Sequence, residues 1–218
     1  MNKLVMTLII VLGSSALLTA CGESRPRNTG IYMLVDTSGT YNEELGKAEQ
    51  IVYFTLSRLG PTDSFAVARI DTGSFSEKDI IAKTTFEDRP SAANGQKRIF
   101  ADRIGEFARS AQSAPYTDIS GGLLQAIEFL NEKRSGQKTI FIFSDLKEDL
   151  EPGYVRDIPL NLEGFDVVAL NVTKLRSDNV DPREYMARLD EWERQVTEGG
   201  GRWRVVNDLD HLEELFVM

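Results

Sequence analysis

Asp36-Thr37-Ser38-Gly39-Thr40 sets a carboxylate and two hydroxyls at alternate positions of a five-residue stretch, with a glycine that lets the backbone approach a common point. These are hard oxygen donors, suited to Mg²⁺, Mn²⁺ or Ca²⁺ rather than to zinc. Two distant residues can join them. Thr117 lies in a loop between two helical patterns, and Asp145 follows the apolar run Thr139-Ile140-Phe141-Ile142-Phe143. Alone, the five-residue stretch is ordinary turn and helix-cap material. Its combination with Thr117 and Asp145 is what points to a metal.

Such a site needs elements that deliver three segments to one edge. Ile31-Tyr32-Met33-Leu34-Val35, the run at 139–143 and Phe165-Asp166-Val167-Val168-Ala169-Leu170 read as strands buried on both faces, and Phe65-Ala66-Val67-Ala68-Arg69-Ile70 as a fourth. Between them, apolar stripes at helical spacing run through Leu45, Ala48, Val52, Leu56 and Leu59, and through Phe100, Ile104, Phe107 and Ala111. Further stripes join Leu123, Ile127 and Leu130, then Tyr185, Leu189, Trp192 and Val196, then Leu209, Leu212 and Phe216. This alternation predicts one α/β domain over residues 30–218, a doubly wound, mostly parallel sheet with helices on both faces. Ile80 to Thr84 reads as an antiparallel edge strand after a turn at Thr72-Gly73-Ser74. Ligands of such sheets gather at the carboxyl ends of the strands, where Asp36 and Asp145 fall.

In this order the residues resemble the von Willebrand factor type A domains and their metal-ion-dependent adhesion site, D-x-S-x-S, then T, then D. The match falls on Asp36, Ser38 and Thr40, on Thr117 within Thr117-Asp118-Ile119-Ser120-Gly121-Gly122-Leu123, and on Asp145. Thr40 replaces the usual second serine and keeps the hydroxyl. Leu146 follows Asp145 where the family often has glycine, which makes Glu148 and Asp149 alternative contributors. The resemblance implies a Rossmann-like fold, a Mg²⁺ (or Mn²⁺ or Ca²⁺) ion touched directly by the hydroxyls and reached by one or both aspartates through water, and a protein partner presenting Asp or Glu to the ion. Asp118 is expected to turn the loop.

The chain begins with Lys3, an apolar stretch over residues 4–18 and the exit Leu17-Leu18-Thr19-Ala20-Cys21. That is the layout of a secretory signal, shorter than the ~20 residues of a membrane span. Leu18-Thr19-Ala20-Cys21 resembles the bacterial lipobox, which implies a signal peptide over residues 1–20 and lipid on Cys21. Residues 21–29 then form a polar tether, which fully extended reaches about 30 Å. A bacterial envelope location is expected, on the periplasmic side of the outer membrane if the cell has two membranes, because Gly22 rather than Asp follows the cysteine.

Composition narrows the functions. With 34 acidic against 25 basic residues the formal charge is −9, which repels a phosphate backbone, so nucleic acid is not an expected partner. One Cys excludes an internal disulfide, and one His leaves zinc and histidine-dependent triads short of material. The leading reading is a membrane-anchored, metal-dependent protein-binding module without catalysis. The alternative is a Mg²⁺-dependent phosphatase of the haloacid-dehalogenase type, which also opens with Asp after a first strand. Its second Asp is Ser38 here, which removes the general acid/base. A third reading is a scaffold whose metal site is vestigial. Gly199-Gly200-Gly201 reads as a helix stop, and His211 as a surface residue.

Overall fold

The computed structural model describes residues 28–39, 44–173 and 181–216. The lipobox, Cys21 and Thr40 lie outside the described residues. Among those described, no helix is long and apolar enough to cross a membrane.

The apolar run after Asn28 forms β1 (Thr29–Asp36), followed by α1 (Leu45–Arg58) and β2 (Ser64–Ile70). A short 3₁₀ turn leads into β3 (Ile80–Thr85), then α2 (Pro90–Ser110) and α3 (Ile119–Glu132). The chain continues through β4 (Gln137–Phe143), β5 (Phe165–Leu170), α4 (Pro182–Glu198) and β6 (Arg202–Val206). The strands form one sheet in the order β3-β2-β1-β4-β5-β6, parallel throughout except for the antiparallel edge strand β3.

The period of two within β1 divides the core. Ile31, Met33 and Val35 pack with α1 and α2, whereas Tyr32 and Leu34 pack with α3 and α4. A continuous apolar run is therefore what a strand covered on both faces requires. On the second face Gly122 lets α3 press onto β1, because a Cβ there would stand 2.8 Å from a Leu34 methyl.

Two features depart from the sequence reading. The stripe Leu209, Leu212, Phe216 forms a 3₁₀ segment (Leu209–Phe216), with a break at His211, rather than an α-helix. Asp208 accounts for this: its carboxylate takes the Asp210 N–H and bonds His211 Nδ1, side-chain bonds that compete with regular helix. β6 was not anticipated, because Arg202-Trp203-Arg204-Val205-Val206 is an edge strand in which only Val206 is buried. Gly200, with φ +83°, makes the turn into it.

The crossover from β4 to β5, residues 144–164, contains no helix. Parallel neighbours are usually joined through one, and irregular connections this long tend to be functional. It is nevertheless ordered by burial of Leu146 and Leu162 on the α3/α4 face.

Candidate metal centre

β1 and β4 are neighbours, with Val35 in register with Phe143. The chain leaves β1 toward α1 on one face and leaves β4 along the other. Divergence of adjacent connections opens the crevice in which ligands of such sheets lie. Asp36 closes β1 and Asp145 stands two residues beyond β4, so both are delivered to this crevice by the regularity of the sheet.

Asp36 is 1% exposed. Its Oδ1 accepts the Ser38 N–H at 2.8 Å, and its Oδ2 accepts the Ser144 hydroxyl at 2.7 Å. Thr37 turns the other way and donates to the Ile70 carbonyl at the end of β2, 3.1 Å away. Ser38 pairs with Ala114 in an isolated bridge, and the Ala114 N–H donates to the Thr37 carbonyl at 3.0 Å. This lays the loop before α3 beside the loop after β1. Thr117 follows on that loop, buried, its backbone doubly bonded to Asp149 at 2.8 and 2.9 Å.

Asp145 is 4% exposed, and its Oδ1 accepts the Lys147 N–H at 2.8 Å. Burial pushes its carboxyl above the usual carboxylate range; the Lys147 N–H opposes this, and the negative charge of Asp36 adds to it. Among the described residues neither aspartate side chain is hydrogen-bonded to a cationic side chain. Burial of two carboxylates on one edge is costly, and the positive charges of Arg188 and Lys147 offset it only in part at Asp145. Hard carboxylate oxygens of this kind are chemically suited to a divalent ion. Among the described residues no group of three or more His, Cys, Asp or Glu is placed to hold a metal ion.

Leu146 adopts φ +64°, the left-handed region in which glycine is the easy occupant. Three contacts impose it: its N–H donates to the Ser144 hydroxyl at 3.0 Å, its carbonyl accepts from Trp192 Nε1 at 2.9 Å, and its side chain is 1% exposed. Arg188 Nε donates to the Asp145 carbonyl at 3.2 Å. Helix α4 therefore grips the backbone of the Asp145 loop.

Glu148 accepts the Ser120 N–H at 2.7 Å, and burial raises its carboxyl above the usual range. It serves the start of α3. Asp149 is exposed and joins Thr117 through backbone alone. Asp118 caps α3 through the Gly121 N–H at 2.8 Å. Sequence reasoning missed Ser144 and Arg156. Ser144 is signalled only by adjacency to Asp145, and Arg156 by nothing local.

No protein-family model matches the sequence, and no curated protein does. Solved structures do match its fold. A von Willebrand factor type A protein from Catenulispora acidiphila superposes with a TM-score of 0.52 at 15% identity, over 88% of this chain and 41% of that one. The pilus adhesin SpaC from Lactobacillus rhamnosus GG, in an open conformation, superposes with a TM-score of 0.55 at 14% identity, over 89% of this chain and 29% of that one. This chain spans less than half the length of either. It has the von Willebrand factor type A fold.

Proposed function

We propose that residues at the carboxyl edge of the sheet hold a divalent cation and that this site takes a carboxylate of a protein partner. The carrying observation is the pair Asp36 and Asp145, buried at adjacent strand ends with no cationic side chain hydrogen-bonded to either carboxylate among the described residues. Asp36, Ser38, Thr40, Thr117 and Asp145 would hold Mg²⁺ or Mn²⁺. The ion supplies a hard positive charge with a position open to a partner oxygen. Asp36 and Asp145 bring the compensating charge, and their bonds to Ser144 and to backbone N–H groups fix the direction in which each presents its remaining lone pairs. The fold is shared with a pilus adhesin, which supports a binding role. Ser38 beside Asp36 offers no second carboxylate, which disfavours the phosphatase alternative.

The same reading places the protein on a bacterial envelope through lipid on Cys21. Residue 28, where the described chain begins, leads into the amino end of β1, whereas the site lies at the carboxyl end. An eight-residue strand separates the two by about 26 Å, so residue 28 and the candidate site are at opposite edges of the sheet.

Capture of a partner from an envelope extract by the full chain in detergent tests this function. Capture is expected to vanish with EDTA, to return with Mg²⁺, and to be absent for Thr117→Ala with unchanged circular dichroism. A partner retained equally with EDTA would mean binding through another surface.

A further inference from the structure

The deepest ion pair among the described residues lies outside the ligand set. Arg156, in the helix-free crossover, grips Asp118, the residue after Thr117. Its Nε lies 3.1 Å from both carboxylate oxygens, and its Nη2 lies 2.5 Å from Oδ2. The two side chains are only 15% and 2% exposed.

The remaining capacity of the Asp118 carboxylate is spent on backbone. Oδ1 accepts the Gly121 N–H in the first turn of α3, and Oδ2 accepts the Ser74 N–H at 3.0 Å from the β2–β3 connection. Gly121 is obligatory in this arrangement, since a Cβ there would stand 2.5 Å from the carboxylate. One side chain therefore holds together three segments that meet beside the candidate site. The crossover touches this segment at two further points, Asp149 on Thr117 and Glu148 on Ser120. The Arg156 guanidinium also lies 5.6 Å from the centre of the Tyr154 ring, which itself rests against Gly73.

We infer that Arg156 is a positioning residue for the metal centre: by fixing the Asp118 carboxylate, it fixes the turn that carries the neighbouring Thr117. This rests on the reading of Thr117 as a ligand. The physical reason is that a neutral or absent partner at position 156 leaves Asp118 buried, charged and short of donors. Turning the carboxylate toward water would relieve this and would pull on the adjoining Thr117, whose backbone Asp149 holds at 2.8 and 2.9 Å. Groups that orient metal ligands typically influence affinity by about ten- to a hundredfold.

Mn²⁺ titration of the full chain in detergent tests the inference, comparing wild type with Arg156→Met, Arg156→Lys and Asp118→Asn. Asp118→Asn keeps an acceptor for the Gly121 N–H while removing the charge. Wild type is expected to bind, Arg156→Met to bind about ten- to a hundredfold more weakly with its circular dichroism retained, and Arg156→Lys to recover part of the loss. Asp118→Asn is expected to weaken binding as well, and decides the matter should Arg156→Met not fold. Variants whose melting temperature falls while the Mn²⁺ dissociation constant stays at the wild-type value would overturn the inference and leave the pair a purely structural clamp. A wild type that binds no Mn²⁺ would instead overturn the metal centre itself.

Discussion

The Ser144 hydroxyl donates to Asp36 Oδ2 at 2.7 Å, joining residues 108 positions apart at the ends of two adjacent strands. The same hydroxyl accepts the Leu146 N–H. One buried serine thus orients the first aspartate of the candidate site and shapes the loop that carries the second.

Ser144→Ala leaves both Asp36 Oδ2 and the Leu146 N–H without this partner in a buried setting. An unmet buried group costs about 1–3 kcal/mol. Urea unfolding of the metal-free protein should reveal a loss of that size, and an unchanged midpoint would place the bond outside the energetics of the site.

At Leu146 two terms oppose each other. Substitution by glycine relieves the left-handed backbone, about 1–2 kcal/mol, but removes a side chain whose truncation typically costs about 2–5 kcal/mol. Leu146→Gly should therefore destabilise by about 2 kcal/mol. A more stable variant would mean that the buried side chain contributes less than its packing implies.

Asp79 is a buried carboxylate whose Oδ2 has no partner, although Arg69 Nε lies 3.2 Å from Oδ1. Burial raises its carboxyl above the ordinary 3.8, against the opposing effect of Arg69 and Lys78. In the window between 3.8 and the raised value, the folded chain keeps a proton that the unfolded chain has released. Stability from this group therefore falls as pH rises through that window. Asp79→Asn should gain on wild type as pH rises above 3.8 toward the raised value. A difference in unfolding free energy that is constant with pH would contradict it.

Cys21→Ala should yield an unprocessed chain without an acyl group, because Leu18-Thr19-Ala20-Cys21 supplies the only thiol. Intact mass of the envelope-extracted protein decides this. Identical mature masses for variant and wild type would remove the anchor from the account.

The sheet was legible because the stretch of a strand covered on both faces is continuously apolar, as residues 31–35 of β1 and 140–143 of β4 are, and because the helices between them each carry one stripe. The placement of Asp36 and Asp145 at the ends of adjacent strands was legible because position along a strand fixes it. β6 was hidden because an edge strand with one buried residue carries little apolar signal. Arg156 was hidden for a different reason: its partner is 38 residues away across a connection without periodicity. The helical spacing at Leu209, Leu212 and Phe216 is real, but local bonds from Asp208 outweigh it.

Calorimetric titration of Mn²⁺ into the full chain, beside the Asp36→Ala, Asp145→Ala double variant, tests the central claim most directly. Binding adds stability as RT ln(1 + [L]/Kd), only about 0.4 kcal/mol when the ion is near its Kd, so heats are more informative than melting shifts. The account predicts a saturable heat at one ion per chain in the wild type and none in the double variant; equal heats from the two proteins would contradict it.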